Sequence, residues 1–434
     1  MISLERKIPN LFDEKKDCCG CGACLNICPK NAISMEEDQY GFKYPKIDET
    51  LCIGCHLCKK VCAFQNTEED NSPIETFAAV SKDKIQLHQS ASGGIFAAIA
   101  QQHINEEGVV FGAAFDKKWN VCHIGIERFD ELKMLQGSKY VQSDTKETFR
   151  EAKELLELGK KVLYSGTPCQ IAGLKKFLNK EYSNLLTIDI ICHGVPNNKM
   201  FKEYLNQIEQ KENGKVVKFV FRDKRIGWGK NGSVEIKKQD KLINKKIWES
   251  TSSYLYYFTQ SWIYRENCYL CKYASLHRPA DITLGDYWGI EKEHPEYIAK
   301  SEWDESKGIS VVIANTNKGL ELLKSLPEYL ELRESSFEKA SSNNGQLKKP
   351  STPGKREEIL SEYLSNGWNG LEKRFNKKIG IKKYKSQLIS YIPKSLKKYL
   401  KRVLKGWQLY ESISGKYSSF SIKWDNFCNT KLLS

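Results

Sequence analysis

The sequence predicts an α/β chain, α+β overall: a small cysteine-rich module, a mixed-sheet α/β body and a basic helical tail. Three observations predict it. Eight cysteines fall into two evenly spaced quartets between Cys18 and Cys62. From about Glu75 to Gln210, short β-rich runs alternate with helical stretches, the pattern of helices layered on a partly parallel sheet. Finally, thirteen Lys/Arg and no Asp or Glu lie between Lys373 and Trp407, which leaves +1 of the net +14 for everything else. The body thus has no basic footprint for nucleic acid.

A chain of 434 residues with 40% hydrophobic content is ample for two or three domains. The boundaries read as 1–66 for the cysteine module and 75–330 for the body, split into 75–212 (α/β) and 213–330 (mixed sheet). A connecting segment, 331–372, and the tail, 373–434, follow. No apolar run approaches the roughly 20 residues that span a bilayer, and Met1 to Asn10 is too polar for a signal segment. A cytoplasmic location is expected, where fifteen cysteines stay reduced and free for metal.

Taken in order, the module comes first. Cys18, Cys21, Cys24 and Cys28 are spaced C-x2-C-x2-C-x3-C with Pro29 following, and Cys52, Cys55, Cys58 and Cys62 repeat the spacing. This is the run of a two-cluster ferredoxin, in which the distant cysteine of one quartet completes the other cluster. Cys18, Cys21, Cys24 and Cys62 are therefore assigned to one [4Fe-4S] cluster, and Cys52, Cys55, Cys58 and Cys28 to the other. Zinc would leave the third cysteine of each run surplus to a tetrahedral ion, and a disulfide framework suits neither the length nor the expected compartment. Cys19 falls outside the spacing and reads as a loop cysteine with no ligand role. Residues 32–35 and 41–45 read as the arms of a hairpin, and Gln65 to Pro73 as a linker.

In the body, strands are expected at 76–80, 109–115, 121–126, 161–164 and 185–191. Helices are expected at 93–103, 145–158 (capped by Thr145), 171–178 and 198–210. From Val216 to Val312 strands dominate. Gly227–Gly232 matches G-x-G-x-x-G, but charge precedes it and a strand follows, so it reads as a glycine-rich turn instead of a dinucleotide fingerprint.

A second cysteine set stands apart. Cys169 follows one expected strand and Cys192 ends another, which places both at the carboxyl edge of an open sheet, where ligands bind. The pair Cys268 and Cys271 could close over them. These four could hold a third [4Fe-4S] cluster. The pair could instead bind zinc, or some of the four could be buried apolar residues. Cys122 and Cys428 sit in no recognisable context.

Seven ordered motifs carry a resemblance: SASGG (90–94), GSKYVQSD (137–144), GTPCQIAGL (166–174), DIICHGVP (189–196), FRDK (221–224), CYLCKYA (268–274) and RPADITLGDYWG (278–289). From about Cys18 to Asn315 the chain resembles the coenzyme F420 hydrogenase/dehydrogenase beta subunit family, in which F420 names a deazaflavin. The resemblance implies FAD in the α/β body with Cys169, Cys192, Cys268 and Cys271 ligating a cluster beside it. It implies an iron–sulfur flavoprotein oxidoreductase that passes electrons between a ferredoxin, or another low-potential carrier, and an organic substrate or a deazaflavin- or nicotinamide-type carrier. A non-catalytic electron-transfer subunit feeding a separate reductase is the alternative.

Ser90, Ser92, Gly93 and Gly94 open a helix whose free N–H groups suit a pyrophosphate, although an ordinary N-cap would look the same. Ser138, Lys139 and Tyr140 resemble a second flavin-contacting loop, with Lys139 also a candidate catalytic group. Arg222 beside Asp223, and Arg278 beside Asp281, read as cofactor contacts or as structural ion pairs. His193 is a candidate proton donor. In the tail, residues 395–407 place Leu396, Leu400, Val403 and Trp407 at helical spacing among lysines. That pattern permits peripheral contact with the inner face of a membrane through 373–407, or packing on protein.

Overall fold

The computed structural model describes residues 7–66, 71–299 and 303–380. The described residues up to Asn376 form one compact unit. The amphipathic stretch 395–407 lies outside the described residues.

The module contributes a hairpin, β1 (Ile33–Glu37) against β2 (Lys43–Ile47), with Ile33 opposite Ile47. Short helices at Ala23–Ile27 and Leu57–Lys60 carry the middle cysteines of each quartet. The body supplies β3 (Glu75–Ser81), β4 (Val109–Phe115), β5 (Val121–Ile126), β6 (Val162–Gly166) and β7 (Leu185–Ile190). Further along come β8 (Lys215–Val220), β9 (Gly232–Lys238), β10 (Lys241–Ile247), β11 (Ile282–Asp286), β12 (Ser310–Ala314) and β13 (Leu330–Ser335).

Eight strands form one mixed sheet in the order β13-β3-β12-β11-β7-β6-β4-β5. The run from β11 through β7 and β6 to β4 is parallel, and the flanking pairs are antiparallel. Within the strand-rich stretch that begins at Val216, β11 and β12 therefore join the main sheet, while β8, β9 and β10 make a separate three-stranded sheet. Parallel strands are buried on both faces, and side-chain alternation decides what each face touches. Val109, Phe111, Val162 and Tyr164 face Phe149, Ile171 and Leu174, together with Cys21 and Ala23 of the module. Val110, Leu163, Leu186 and Leu284 face Ile95 and Ile99 on the opposite side.

Some local expectations shift. The helix expected from Thr145 begins at Thr148, because the Thr145 hydroxyl donates to the Cys21 carbonyl (2.9 Å) instead of capping its own helix. The helix Pro168–Leu178 starts earlier than expected, with proline in its first turn and a reciprocal Thr167–Gln170 capping box.

Both expected arginine pairs change partners. Arg222 grips Asp286 through two bonds (2.6 and 2.9 Å), while Asp223 is held by Arg225. Arg278 pairs with Asp189 (2.7 Å), and Asp281 accepts from the Thr187 N–H and hydroxyl. Each arginine instead reaches an acid on a strand of the main sheet, Asp286 on β11 and Asp189 on β7. The Arg278–Asp189 pair is 1% and 0% exposed. Burial pushes the Asp189 carboxyl up even with Arg278 beside it. Arg278→Met strands that carboxylate, so a loss of about 3–5 kcal/mol is expected in denaturant unfolding. A loss under about 1 kcal/mol, the size of an exposed pair, would contradict this reading.

Candidate iron–sulfur and flavin site

Each distant cysteine faces the other quartet. One hollow is lined by Cys52, Cys55 and Cys58 together with Cys28. A second is lined by Cys18, Cys21 and Cys24 together with Cys62, with Cys19 and Cys58 at its border. The Cys24 thiol is pushed well up, first by burial and then by the Cys21, Cys18 and Cys62 thiols around it. Polar groups already aim at sulfur: Ala32 N–H at Cys28 (3.3 Å), Gly54 N–H at Cys52 (3.4 Å) and Gln65 Nε2 at Cys62 (3.5 Å). Such donors favour thiolate, the form that binds iron.

The module is fixed to the body at close quarters. A Cβ on Gly22, whose φ is +83°, would meet Thr145 Oγ1 at 2.3 Å, and one on Gly173 would meet Cys21 Sγ at 2.8 Å. Gly173 lies on the helix that Cys169 begins, so one helix touches both cysteine sets. Arg150 donates to the carbonyls of Asn26, Leu25 and Cys28 (2.6, 3.2 and 2.9 Å).

The second cysteine set also converges. Cys169 starts its helix after β6, and Cys192 follows β7, both at the carboxyl ends of parallel strands. Burial, then Cys169, raises Cys192 to about 12, with Cys271 adding to the shift. Burial, then Cys192, Cys271 and Cys169, also pushes Cys268 well up. Burial, then Cys169, lifts Cys271 to about 11. Cys169 alone moves the other way, its bond from Cys19, ahead of burial, lowering it to about 7. Four mutually close, half-buried thiols are a donor set that becomes thiolate when cationic iron lies among them. Among the described residues no group of three or more His, Cys, Asp or Glu is placed to hold a single metal ion.

Two residues that sequence reasoning passed over join these sets. Cys19 is 4% exposed. Its thiol contacts Cys169 and Cys21, and those bonds, ahead of burial, hold it well above its usual value. It thus sits between the module's inner hollow and the carboxyl-edge set. Arg265 is 0% exposed. It donates to the Cys18 and Lys43 carbonyls (2.9 and 2.8 Å), lies 3.5 Å from Cys18 Sγ and stacks over Tyr44 at 4.0 Å.

The flavin candidates gather at the same sheet edge with altered roles. Gly93 is wedged against the sheet, where a Cβ would meet the Ala79 carbonyl at 2.3 Å. Its N–H is taken by Ser310 Oγ (2.9 Å) and so is not free for a phosphate. Ser92 Oγ donates to the Ile309 carbonyl (3.0 Å), and Ser90 ends the helix Lys84–Gln89. Gly94, at φ +83°, precedes the helix Ile95–Asn105. Lys139, in the loop with Ser138, donates to the Met134 and Gln136 carbonyls (2.9 Å each), and burial pulls its ammonium down to about 7. Tyr140 stacks on Phe258 at 4.4 Å. Arg222 reaches the Ala91 carbonyl (3.2 Å), while its buried Nε has no partner. Trp228, inside the G-x-G-x-x-G run, donates to Asp286 (2.7 Å) and stacks on Trp288, so that run is a turn packed on the site.

Fold and thiol arrangement together define an iron–sulfur electron-transfer protein of the oxidoreductase kind. Residues 17–66 match the 4Fe-4S dicluster domain, and residues 159–339 match the family described as the C terminus of the coenzyme F420 hydrogenase/dehydrogenase beta subunit. The matches bear out the resemblance: the dicluster model covers the module, and the beta-subunit model covers part of the body. It is 28% identical over 234 residues to the coenzyme F420-dependent sulfite reductase of Methanocaldococcus jannaschii, covering 53% of this chain but only 35% of that protein. It is 25% identical over 352 residues to an uncharacterized protein of the same organism, covering 70% and 90% of the two chains. A chain of the F420-reducing [NiFe] hydrogenase complex from Methanosarcina barkeri aligns with a TM-score of 0.41 at 17% identity, covering 73% of this chain and 97% of that one. Among the described residues no helix is long and apolar enough to cross a membrane.

Proposed function

We propose that the chain is an oxidoreductase carrying electrons from a ferredoxin-type donor, through two module clusters and a third at the carboxyl edge, to FAD and a two-electron acceptor. The observation that carries this reading is the unbroken succession of thiols. Cys28, Cys52, Cys55 and Cys58 lie outermost, then Cys18, Cys21, Cys24 and Cys62, then Cys19, then Cys169, Cys192, Cys268 and Cys271.

FAD supplies the conversion between one-electron and two-electron carriers. The side chains around its proposed site fit an anionic, hydrogen-bonding guest. Arg222, oriented by Asp286, has a buried Nε donor to spare. Lys139, at about 7, can hold or release a proton on Nζ near neutral pH. His193 is pulled to about 4 by burial first and Lys230 next. It is therefore a neutral imidazole at pH 7, suited to hydrogen bonding more than to giving up a proton.

Reconstituted protein will show its flavin bleached by reduced ferredoxin without oxygen. The pair Cys169→Ser/Cys192→Ser will keep the module's iron and the flavin but bleach at least tenfold more slowly. Failure to bind flavin, or equal bleaching rates, would overturn the reading. One observation favours a second reading, an electron-transfer subunit feeding a separate reductase: the matched part is only 35% of the sulfite reductase's length. Under that reading the flavin still bleaches, and no deazaflavin or nicotinamide is reduced by this chain alone.

A further inference from the structure

Cys55 is the one exposed cysteine among the described residues. Around it stand Leu51 (51% exposed), Ile53 (50%) and Leu57 (37%), three large apolar side chains left in water within seven residues. Ile53 and Leu57 line the same hollow as Cys28, Cys52, Cys55 and Cys58, and so does Lys30. Lys59 and Lys60 follow Leu57 closely, and all three lysines are exposed.

Among the described residues, none of Lys30, Lys59 and Lys60 makes an ion pair, although the chain forms many elsewhere. Asp48, four residues before Cys52, accepts from the Thr50 N–H and hydroxyl (2.8 and 2.6 Å). The surface is therefore an apolar centre over the outermost cysteine quartet with a rim of exposed lysines that make no ion pair among the described residues. Apolar centre and charged rim are the usual division of a protein interface, the rim steering encounter and the centre excluding water.

We infer that this face is the docking surface for a small acidic one-electron carrier protein of the ferredoxin type, which meets the chain over Cys55. The inference rests on the proposed direction of electron entry and adds the place and the partner's charge. Each encounter moves one electron: the carrier is oxidised by one, and the centre held by Cys28, Cys52, Cys55 and Cys58 is reduced by one. Two encounters supply the pair that a two-electron acceptor takes up together with a proton from solvent.

The test uses the full chain with its clusters loaded, in anaerobic stopped flow, with an acidic 2[4Fe-4S] ferredoxin as donor. Cluster reduction is read by absorbance and EPR, so the result does not depend on flavin. The wild-type second-order rate is expected to fall steeply with salt. The triple variant Lys30→Glu/Lys59→Glu/Lys60→Glu should be slower by about tenfold or more at low salt, the scale of electrostatic steering. Reduction of both proteins by methyl viologen radical, which needs no docking face, should remain equal. A salt-independent wild-type rate would overturn the inference without any variant. So would equal ferredoxin rates for wild type and variant, or a face that instead pairs two copies of the chain with the ferredoxin rate unaffected.

Discussion

Replacing Arg265 with methionine is expected to cost the iron-loaded protein about 3–5 kcal/mol of stability, the scale for removing one partner of a buried charge pair. The guanidinium is fully buried, with its Nε and Nη1 on the Cys18 and Lys43 carbonyls and Nη2 beside Cys18 Sγ. No carboxylate accompanies it among the hydrogen bonds and ion pairs of the described residues. Its countercharge is the thiolate that Cys18 becomes on binding iron. Two consequences follow from that pairing. Without iron the substitution removes a buried cation whose partner is a neutral thiol, so the destabilisation should shrink. With iron, loss of a nearby positive charge disfavours the electron-rich state, so the potential of that centre moves negative. Arg265→Lys keeps the charge but not the fork spanning two carbonyls and should fall between. Denaturant unfolding with and without iron, paired with an EPR-monitored redox titration, checks both. Equal losses in the two forms with no shift in potential would show that Arg265 acts through its carbonyl contacts alone.

The second large effect tests the crossing of the quartets. Cys62→Ala should remove about four irons, from four per cluster, and those should be the irons of the Cys18 centre. Cys28→Ala should remove the other four. Arg265 tells the two apart, because it touches only the Cys18 side. In a Cys62→Ala background, adding Arg265→Met should no longer shift a module potential, a coupling that a double-mutant cycle reads directly. Were each quartet to serve its own centre, Cys62→Ala would spare the Cys18 centre and the Arg265 effect would persist. Iron analysis and the redox titration of the four proteins decide it.

Much of this site was legible in the sequence, for a physical reason. Ligands that bind one cluster from a tight loop must sit at fixed local spacing, so Cys18–Cys62 declares itself. Strand–helix alternation likewise forecasts parallel strands, and with them the carboxyl-edge places of Cys169 and Cys192. What stayed hidden depends on tertiary approach. Cys19 breaks the local spacing and so reads as idle, yet folding brings Cys169, 150 residues away, onto its thiol. Arg265 stands 247 residues from Cys18, and no local pattern predicts their contact; its one signal is its place three residues before Cys268. The arginine pairs read as contacts between sequence neighbours, whereas Arg222 and Arg278 reach Asp286 and Asp189, 64 and 89 residues away. SASGG looked like a helix start open to a phosphate, whereas Gly93 is there because nothing larger fits under Ala79 and Ser310. The tail's amphipathic pattern lies outside the described residues.

Iron, acid-labile sulfide and flavin content of protein purified without oxygen tests the central claim most directly. Three cubanes and one flavin predict about twelve irons, about twelve sulfides and one FAD per chain, from four irons per cluster. About eight irons with no flavin recoverable on reconstitution would confine the redox chemistry to the module and contradict the path through Cys169, Cys192, Cys268 and Cys271.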